Sequence, residues 1–424
     1  MRIETLLPRN DGVEICQASR DMLVPAPTMW LQLDAAEQQA LIDNARNPSS
    51  VDGLTHRHYH YPARFSPLLI GQAIETFTNP GDLVIDPYVG GGTTLVEAYA
   101  RGREAIGSDI STLAAFVSKT KLLTLTAARA QAFIALVADI ANRINIHQPE
   151  PAFEDWAQLG YFRNLDSPQR WRLRKAITQA VAAIEEISDP AFESLARCAV
   201  LRTAHWALDG RKQLPSTASF RKSLQASASL IADGAVKLHK ACGAFSNGHP
   251  QVLNRSIIGL EEDAAIRNAN APRLIITSPP YPGVHVLYHR WQVDGRKESP
   301  APFFIAKALD GSGESYYTMG GRKARGLATY FDQLGEALRS LGAIADQTTT
   351  LVQVVAFAHP DWQLARYLEV TEQSGWQEFG LTELVGEEDG RLWRSVPNRK
   401  WHATSRGQTG GAREVVLFHR LHRR

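Results

Sequence analysis

Residues 83–98 read LVIDPYVGGGTTLVEA and contain, in order, a short apolar strand, a glycine turn and the start of a helix. The strand is expected to end at Asp86, because Pro87 has no N–H to donate to a sheet. Residues 90–92 are all glycine, so the backbone can turn tightly and approach a ligand without a Cβ in the way. This order predicts an α/β fold that binds a ligand at the carboxyl end of the strand.

Three kinds of nucleotide-binding loop compete for this stretch. A phosphate-binding P-loop needs a lysine where this chain has Thr93, and a dinucleotide fingerprint needs a glycine where it has Leu95. The stretch resembles instead the S-adenosylmethionine loop of methyltransferases, D-P-(F/Y)-x-G-x-G-T-T, with every position filled. The resemblance implies that the following residues bind S-adenosylmethionine: Asp86, Pro87, Tyr88, Gly90, Gly92, Thr93 and Thr94.

A second turn, Thr277-Ser278-Pro279-Pro280-Tyr281, follows an apolar strand at residues 274–276. Its two prolines cannot continue a sheet ladder, and they leave carbonyls without a neighbouring donor. The turn therefore offers a hydroxyl, a bare carbonyl and an aromatic ring at the carboxyl end of a strand, where open α/β sheets bind ligands.

This turn resembles the catalytic motif of the DNA amino-methyltransferases, in which Ser, Asn or Asp precedes Pro-Pro-Tyr, Phe or Trp. Serine is commoner in the cytosine-N4 branch than in the adenine-N6 branch. The resemblance implies a catalytic site made of Ser278, Pro279, Pro280 and Tyr281. The Ser278 hydroxyl and the Pro279 carbonyl would accept the N–H bonds of the amine of a flipped cytosine, and Tyr281 would stack on the base. The amine would then attack the cofactor methyl group in line.

Further cofactor contacts are expected outside the glycine loop. Asp109 ends a predicted strand at residues 103–110, where a carboxylate commonly accepts ribose hydroxyls, although a helix N-cap is an alternative. Asp263 is a weaker choice for the adenine contact, and a helix start fits it equally well. Upstream, HYPARFSP at residues 60–67 resembles the family motif that packs against the methionine end of the cofactor. It contributes Tyr61, Arg64 and Phe65.

Composition excludes several other classes of protein. The chain has 424 residues, a formal net charge of +2 and three cysteines, none of which follows a proline. The Pro-Cys nucleophile of cytosine-C5 methyltransferases is therefore missing, and no disulfide framework or zinc site is expected. Residues 56, 58 and 60 are histidines that would share one face of an extended segment, but no metal site is predicted. The first residues lack an apolar targeting segment, so a cytoplasmic location is expected.

The order of elements predicts four parts: an N-terminal extension (1–50), a cofactor-binding half (51–112), a helical insertion (113–250) and a catalytic half (251–424). Together with the resemblance, it predicts a Rossmann-like methyltransferase fold with a seven-stranded, mostly parallel sheet and helices on both faces. A third strand with its loop is expected at residues 255–263. The glycine-loop strand and the Pro-Pro-Tyr strand would be neighbours.

Two segments are expected to contact DNA: a loop at residues 282–326 and a basic segment at residues 391–412. From Arg391 onward the chain has nine basic residues and one acid, Glu414. Basic side chains interleaved with tryptophan suit phosphate contacts and base stacking. The DNA-binding candidates are Arg290, Trp291, Arg296, Lys297, Arg322, Lys323, Arg325, Arg394, Arg399, Lys400, Trp401 and Arg406.

The residues leave several functions open. Adenine-N6 methylation of DNA would use the same amine clamp, and methylation of an RNA amine is a more distant alternative. A catalytically silent nucleic-acid-binding subunit is the alternative outside enzymes. The resemblance implies DNA as the partner and allows a separately encoded restriction endonuclease or defence partner.

Overall fold

The computed structural model describes residues 24–49, 51–61, 65–149, 158, 160–246, 248–282, 291–294, 297–309, 319–320, 324–387, 389–395 and 413–422. Its main sheet is built from the strands β1 (Leu83–Asp86), β2 (Glu104–Ser108), β3 (Gln251–Leu253), β4 (Leu274–Thr277), β7 (Thr350–Val355), β8 (Trp376–Phe379), β9 (Leu392–Ser395) and β10 (Arg413–Leu421). A separate hairpin is formed by β5 (Trp291–Asp294) and β6 (Lys297–Ser299).

The strand order in the main sheet is β3-β2-β1-β4-β7-β10-β8, and β9 pairs with the first half of β10. The strands from β3 to β7 are all parallel, whereas β10 runs antiparallel to β7, β8 and β9. The direction of the strand order changes between β1 and β4, which are neighbours. Open α/β sheets bind ligands at such a switch point, outside the carboxyl ends of the strands.

Helices cover both faces of the sheet, as the sequence predicts. The helices are α1 (Ala35–Arg46), α2 (Pro67–Phe77), α3 (Thr93–Ala100), α4 (Thr112–Lys121), α5 (Ala127–Arg143), α6 (Trp171–Glu185), α7 (Pro190–Leu208), α8 (Thr217–Cys242), α9 (Ala264–Arg267), α10 (Ala301–Ile305), α11 (Ala324–Ile344) and α12 (Pro360–Gln373).

Alternate residues of the central strands enter two different cores. Val84, Leu274 and Ile276 pack with residues of α1 to α3 on one face. Ile85 and Ile275 pack with residues of α11 and α12 on the other face. Because side chains alternate across a strand, a strand buried on both sides is apolar along its whole length, which is why these segments read as continuous apolar runs.

The helices between β2 and β3 have a core of their own. It joins buried side chains of α4 to α8, and it also takes in residues of β5 and α10, including Trp291 and Phe303. None of the described helices is both long and apolar enough to cross a membrane.

Three details differ from the sequence prediction. The sheet has eight strands, because residues 392–395, expected in the basic segment, pair with β10. The third strand is Gln251–Leu253, before the predicted 255–263, where a short 3-10 helix (Leu260–Glu262) lies instead and is followed by α9. Part of the predicted loop at 282–326 forms the β5–β6 hairpin and α10, which pack on the helical core.

Candidate active site

The glycine loop needs glycine at two positions for different reasons. Gly90 has φ +47° and Gly92 has φ +75°, both in the left-handed region that favours glycine. A Cβ at Gly92 would also lie 2.9 Å from Ser118 Oγ and 3.0 Å from Ser118 Cα. The loop is therefore packed closely against α4, and a side chain at Gly92 would push the two apart.

Two side chains of α4 hold the carbonyls of this loop. The Ser118 hydroxyl donates to the Gly90 carbonyl at 2.9 Å, and the Lys121 ammonium donates to the Gly91 carbonyl at 2.7 Å. Lys121 is fully buried. A buried ammonium is costly unless it is hydrogen-bonded, so its placement against the loop stabilises one backbone conformation. Neither residue was predicted from the sequence, although a lysine inside a largely apolar helix is a visible signal.

Asp86 lies at the centre of the loop and joins three segments. Its Oδ2 accepts from Thr94 Oγ1 at 2.6 Å, and its Oδ1 accepts from the Tyr88 N–H at 3.1 Å. Oδ1 also accepts from Thr277 Oγ1 at 3.2 Å, across the β1–β4 pair. Burial raises the pKa of Asp86 to about 7, although these three hydrogen bonds oppose the rise. With 1% of its surface exposed, Asp86 shapes the loop from within.

Asp109 follows β2 at the same edge of the sheet. Its Oδ2 accepts from the Gly90 N–H and its Oδ1 accepts from the Ser111 N–H, both at 2.9 Å. Burial raises the pKa of Asp109 to about 6, and the two backbone hydrogen bonds lower it in part. Each carboxylate oxygen keeps a second lone pair, as hydroxyl recognition requires. These acceptor positions fit the ribose hydroxyls of a nucleoside cofactor, while the N-cap residue of α4 is Ser111.

The remaining glycine-loop residues are arranged around these carboxylates. Pro87 accepts a hydrogen bond at its carbonyl from Ser108, and the Tyr88 hydroxyl lies 3.6 Å from the sulfur of Met319. Thr93 and Thr94 are both buried at the start of α3.

The upstream motif is described in part. The Tyr61 ring lies beside the loop, where a Cβ on Gly90 would be 3.5 Å from its Cε1. Phe65 packs at the edge of the core under α1 and α2. Arg64 lies outside the described residues. Of the nearby histidines, His56 is paired with Glu97 at 2.5 Å and His58 contacts the carbonyl of Ile231. The segment is a turn, so these rings do not share one face.

Asp263 lies at the start of a helix, which is the alternative that the sequence offers to the adenine contact. Its Oδ1 caps α9 by accepting from the Ala265 N–H at 2.9 Å, and its Oδ2 pairs with Arg255 Nη1 at 2.9 Å. These bonds lower its pKa. The side chain that instead follows β3 is Asn254, whose amide donates to the Asp109 carbonyl at 2.8 Å.

The Ser-Pro-Pro-Tyr turn begins where β4 ends, beside the glycine loop. The Ser278 hydroxyl, half-buried, donates to Tyr281 Oη at 3.1 Å, and Tyr281 Oη donates to Glu414 Oε1 at 2.6 Å. The Tyr281 ring is 8% exposed and belongs to the core between the sheet and α11. The expectation of an open stacking face at Tyr281 is therefore wrong for this structure, because the ring is packed and its hydroxyl is engaged on both sides.

The DNA-binding candidates divide into three groups. Trp291 is buried, donates its indole N–H to Tyr59 Oη at 3.0 Å and stacks on His205, so it supports the helical core and is not available to a base. Arg394 is buried and lies 3.6 Å from Glu414 Oε2. Lys297 and Arg325 are exposed, as DNA contact requires. The others lie outside the described residues: Arg290, Arg296, Arg322, Lys323, Arg399, Lys400, Trp401 and Arg406.

Among the described residues, no group of three histidine, cysteine, aspartate or glutamate side chains is placed to hold a metal ion.

Residues 24–116 match a family model described as DNA methylase (N6_N4_Mtase). The match includes the glycine loop and Asp109 and ends before Ser278. Over these residues the chain is similar to DNA methylases of this family, and S-adenosylmethionine is the cofactor that the similarity implies. The family name covers both N6 and N4 amines, so it does not choose the base.

Three curated proteins are similar over a short segment. The type II methyltransferase M.MjaII of Methanocaldococcus jannaschii is 37% identical over 67 residues, 16% of this chain and 13% of that protein. The type II methyltransferase M.MvaI of Kocuria varians is 41% identical over 71 residues, 16% of each chain. The orphan methyltransferase M.BamHII of Bacillus amyloliquefaciens is 37% identical over 70 residues, 16% of this chain and 25% of that protein. The similarity thus spans a quarter or less of each relative.

Among solved structures, the rRNA methyltransferase aviRa from Streptomyces viridochromogenes is similar, and the alignment covers 92% of this chain and 94% of that chain. Its TM-score is 0.30 and its sequence identity is 12%, which is too low to support an argument.

Proposed function

We propose that this protein methylates the exocyclic N4 amine of a flipped cytosine in DNA, with S-adenosylmethionine as the methyl donor. The observation that carries the proposal is the hydrogen bond between Thr277 Oγ1 and Asp86 Oδ1 across the β1–β4 pair. It joins the end of the Ser-Pro-Pro-Tyr strand to the end of the glycine-loop strand. A cofactor at the glycine loop and an amine at Ser278 would therefore share one cleft.

The cofactor side of this cleft is formed by the loop backbone, Asp109 and Tyr61. Asp109 would accept the ribose hydroxyls, while Ser118 and Lys121 hold the loop in the required shape. When bound, S-adenosylmethionine supplies an electrophilic methyl group on a sulfonium. This division of roles leaves Asp86 as a residue that positions the loop.

The substrate side is formed by the Ser278 hydroxyl and the Pro279 carbonyl. The lone pair of a cytosine amine is delocalised into the ring, which makes the amine a poor nucleophile. Accepting its two N–H bonds would draw the nitrogen toward tetrahedral geometry and localise the lone pair. Orientation in a polar pocket that is already organised would supply most of the rate, and no covalent enzyme intermediate is required.

The choice of cytosine rests on serine at position 278, which resembles the cytosine-N4 branch. Adenine-N6 methylation is the second candidate, since the same clamp would hold that amine. DNA as the substrate is supported by the family match and by the exposed Lys297 and Arg325. Both residues suit phosphate contacts.

The test is mass spectrometry of nucleosides from unmethylated plasmid DNA treated with purified protein and S-adenosylmethionine. N4-methylcytosine is expected. N6-methyladenine would show that the target base is adenine and would leave the proposed mechanism unchanged. Ser278→Ala should lose activity and keep cofactor binding in calorimetry. The absence of any modified base, on duplex and single-stranded DNA, would reject the proposal. RNA would then be the substrate to test, and absence of cofactor binding would indicate a silent binding subunit.

A further inference from the structure

Three side chains form a continuous chain of hydrogen bonds from the substrate side of the cleft into the core. Ser278 Oγ lies 3.1 Å from Tyr281 Oη, which lies 2.6 Å from Glu414 Oε1. Glu414 is on β10 and is the only acid from Arg391 onward. It is opposite Arg394 in the β9–β10 ladder, and the second carboxylate oxygen is 3.6 Å from Arg394 Nε. The series of hydrogen bonds thus ends on a buried ion pair.

The chemistry of these groups fixes the direction of both hydrogen bonds. An ionised carboxylate can only accept, so Tyr281 must give its single proton to Glu414. The Tyr281 oxygen can then only accept at its remaining lone pairs, so Ser278 must give its proton to Tyr281. Ser278 Oγ consequently faces the cleft with lone pairs and no hydrogen.

We propose that Tyr281 and Glu414 are positioning residues that hold the Ser278 hydroxyl as an obligatory hydrogen-bond acceptor. The inference rests on the proposed function and adds a determinant of specificity to it. An exocyclic amine donates N–H and fits such a site, whereas an unprotonated ring nitrogen is itself an acceptor and is repelled. A serine free to rotate could present its hydrogen to a ring nitrogen or to water, and part of its population would not clamp the amine.

The proposal also explains why a hydroxyl stands at position 281. Packing of the ring alone would be satisfied by phenylalanine, which the family motif also contains. A buried tyrosine hydroxyl needs a partner, and here it has one on each side. Its position between Ser278 and Glu414 gives the hydroxyl a function that packing does not require.

The test is single-turnover and steady-state kinetics of methyl transfer by Tyr281→Phe and Glu414→Gln. We expect kcat to fall roughly tenfold in Tyr281→Phe, the factor that corresponds to one lost hydrogen bond, with KM for DNA and the Kd of S-adenosylmethionine unchanged. Glu414→Gln should have a smaller effect in the same direction, because an amide can present either its oxygen or its NH2 group. The double variant should be no slower than Tyr281→Phe alone, since Tyr281→Phe already removes both hydrogen bonds that link Ser278 to Glu414.

Matched controls separate this role from loss of packing. Tyr367→Phe removes another buried hydroxyl of the same core, one that bonds Gln353 at 2.8 Å, and Glu378→Gln breaks the neighbouring buried pair with Arg391. Both should keep kcat.

The outcomes distinguish the two proposals. An active wild type with an unchanged kcat in Tyr281→Phe overturns the positioning role and leaves the proposed function intact. A loss of the same size in Tyr367→Phe overturns it as well. A wild type that transfers no methyl group to any amine rejects the proposed function, and the positioning role with it.

Discussion

Replacement of Gly92 by alanine should test whether the glycine loop is held by contact with α4. The φ of +75° at Gly92 costs an L-residue about 1–2 kcal/mol. Its new Cβ would lie 3.0 Å from Ser118 Cα, a backbone atom that cannot rotate away, so overpacking should cost a further ~1–3 kcal/mol. We expect urea denaturation to show a loss of about 2–5 kcal/mol in the free energy of unfolding.

Gly81→Ala is the matched control, because Gly81 has φ +89° and a Cβ there would meet no described atom within 4 Å. It should lose only the backbone part, about 1–2 kcal/mol. Calorimetry with S-adenosylmethionine completes the test: Gly92→Ala should bind roughly tenfold more weakly, as expected for one displaced backbone contact, and Gly81→Ala should bind normally. Equal destabilisation by the two substitutions, or normal binding by folded Gly92→Ala, would refute the reasoning.

Three further predictions concern buried groups. Folding raises the pKa of Asp86 from 3.8 to about 7. Between these two pH values the folded state keeps a proton that the unfolded state has released. The free energy of unfolding should therefore fall as the pH rises through this range. Asp86→Asn should reduce the dependence of the free energy of unfolding on pH by at most about 1.4 kcal/mol per pH unit. Urea titrations at several pH values measure this dependence, and an unchanged dependence would contradict the raised pKa. Lys121→Met should lose ~1–3 kcal/mol of stability by leaving a loop carbonyl without its donor, while the exposed Lys119→Met on the same helix should be neutral in the same assay. Trp291→Ala should cost about 3–5 kcal/mol and the part-exposed Trp206→Ala clearly less; a stable Trp291→Ala protein that has lost DNA affinity would show that the indole contacts DNA after all.

The central part of the fold was predictable from local sequence alone. Asp86 and Thr277 each end an apolar run that is followed by proline or by a residue before proline, and these ends are strand ends in the structure. A parallel strand that is buried on both faces is a continuous run of apolar residues, so the two runs were recognisable as strands without any knowledge of their partners. Their adjacency followed from the expected sheet order, and the Thr277–Asp86 hydrogen bond is its direct expression.

The parts that were missed depend on contacts distant in sequence. Residues 392–395 read Leu-Trp-Arg-Ser, without the alternation of polar and apolar side chains that marks a strand, and they form a strand because β10 supplies the partner. The sequence left Asp263 between an adenine contact and a helix start, and the structure shows that it caps α9 and pairs with Arg255. In the sequence, Glu414 is the one acid among the nine basic residues from Arg391 onward. Its role appears only when β10 brings it against Tyr281.

The helical core between β2 and β3 has a consequence for the order in which the chain folds. β1 pairs with β4 only after the whole of α3 to α9 has been synthesised, and such a long loop is slow to close. The helices α5 to α8 pack mainly on one another, so they can form early and draw the ends of β2 and β3 together. We therefore expect pulse-labelling hydrogen exchange to show protection of amides in α5 and α8 before those of β1. The insertion would then act as an internal folding template for the sheet it interrupts.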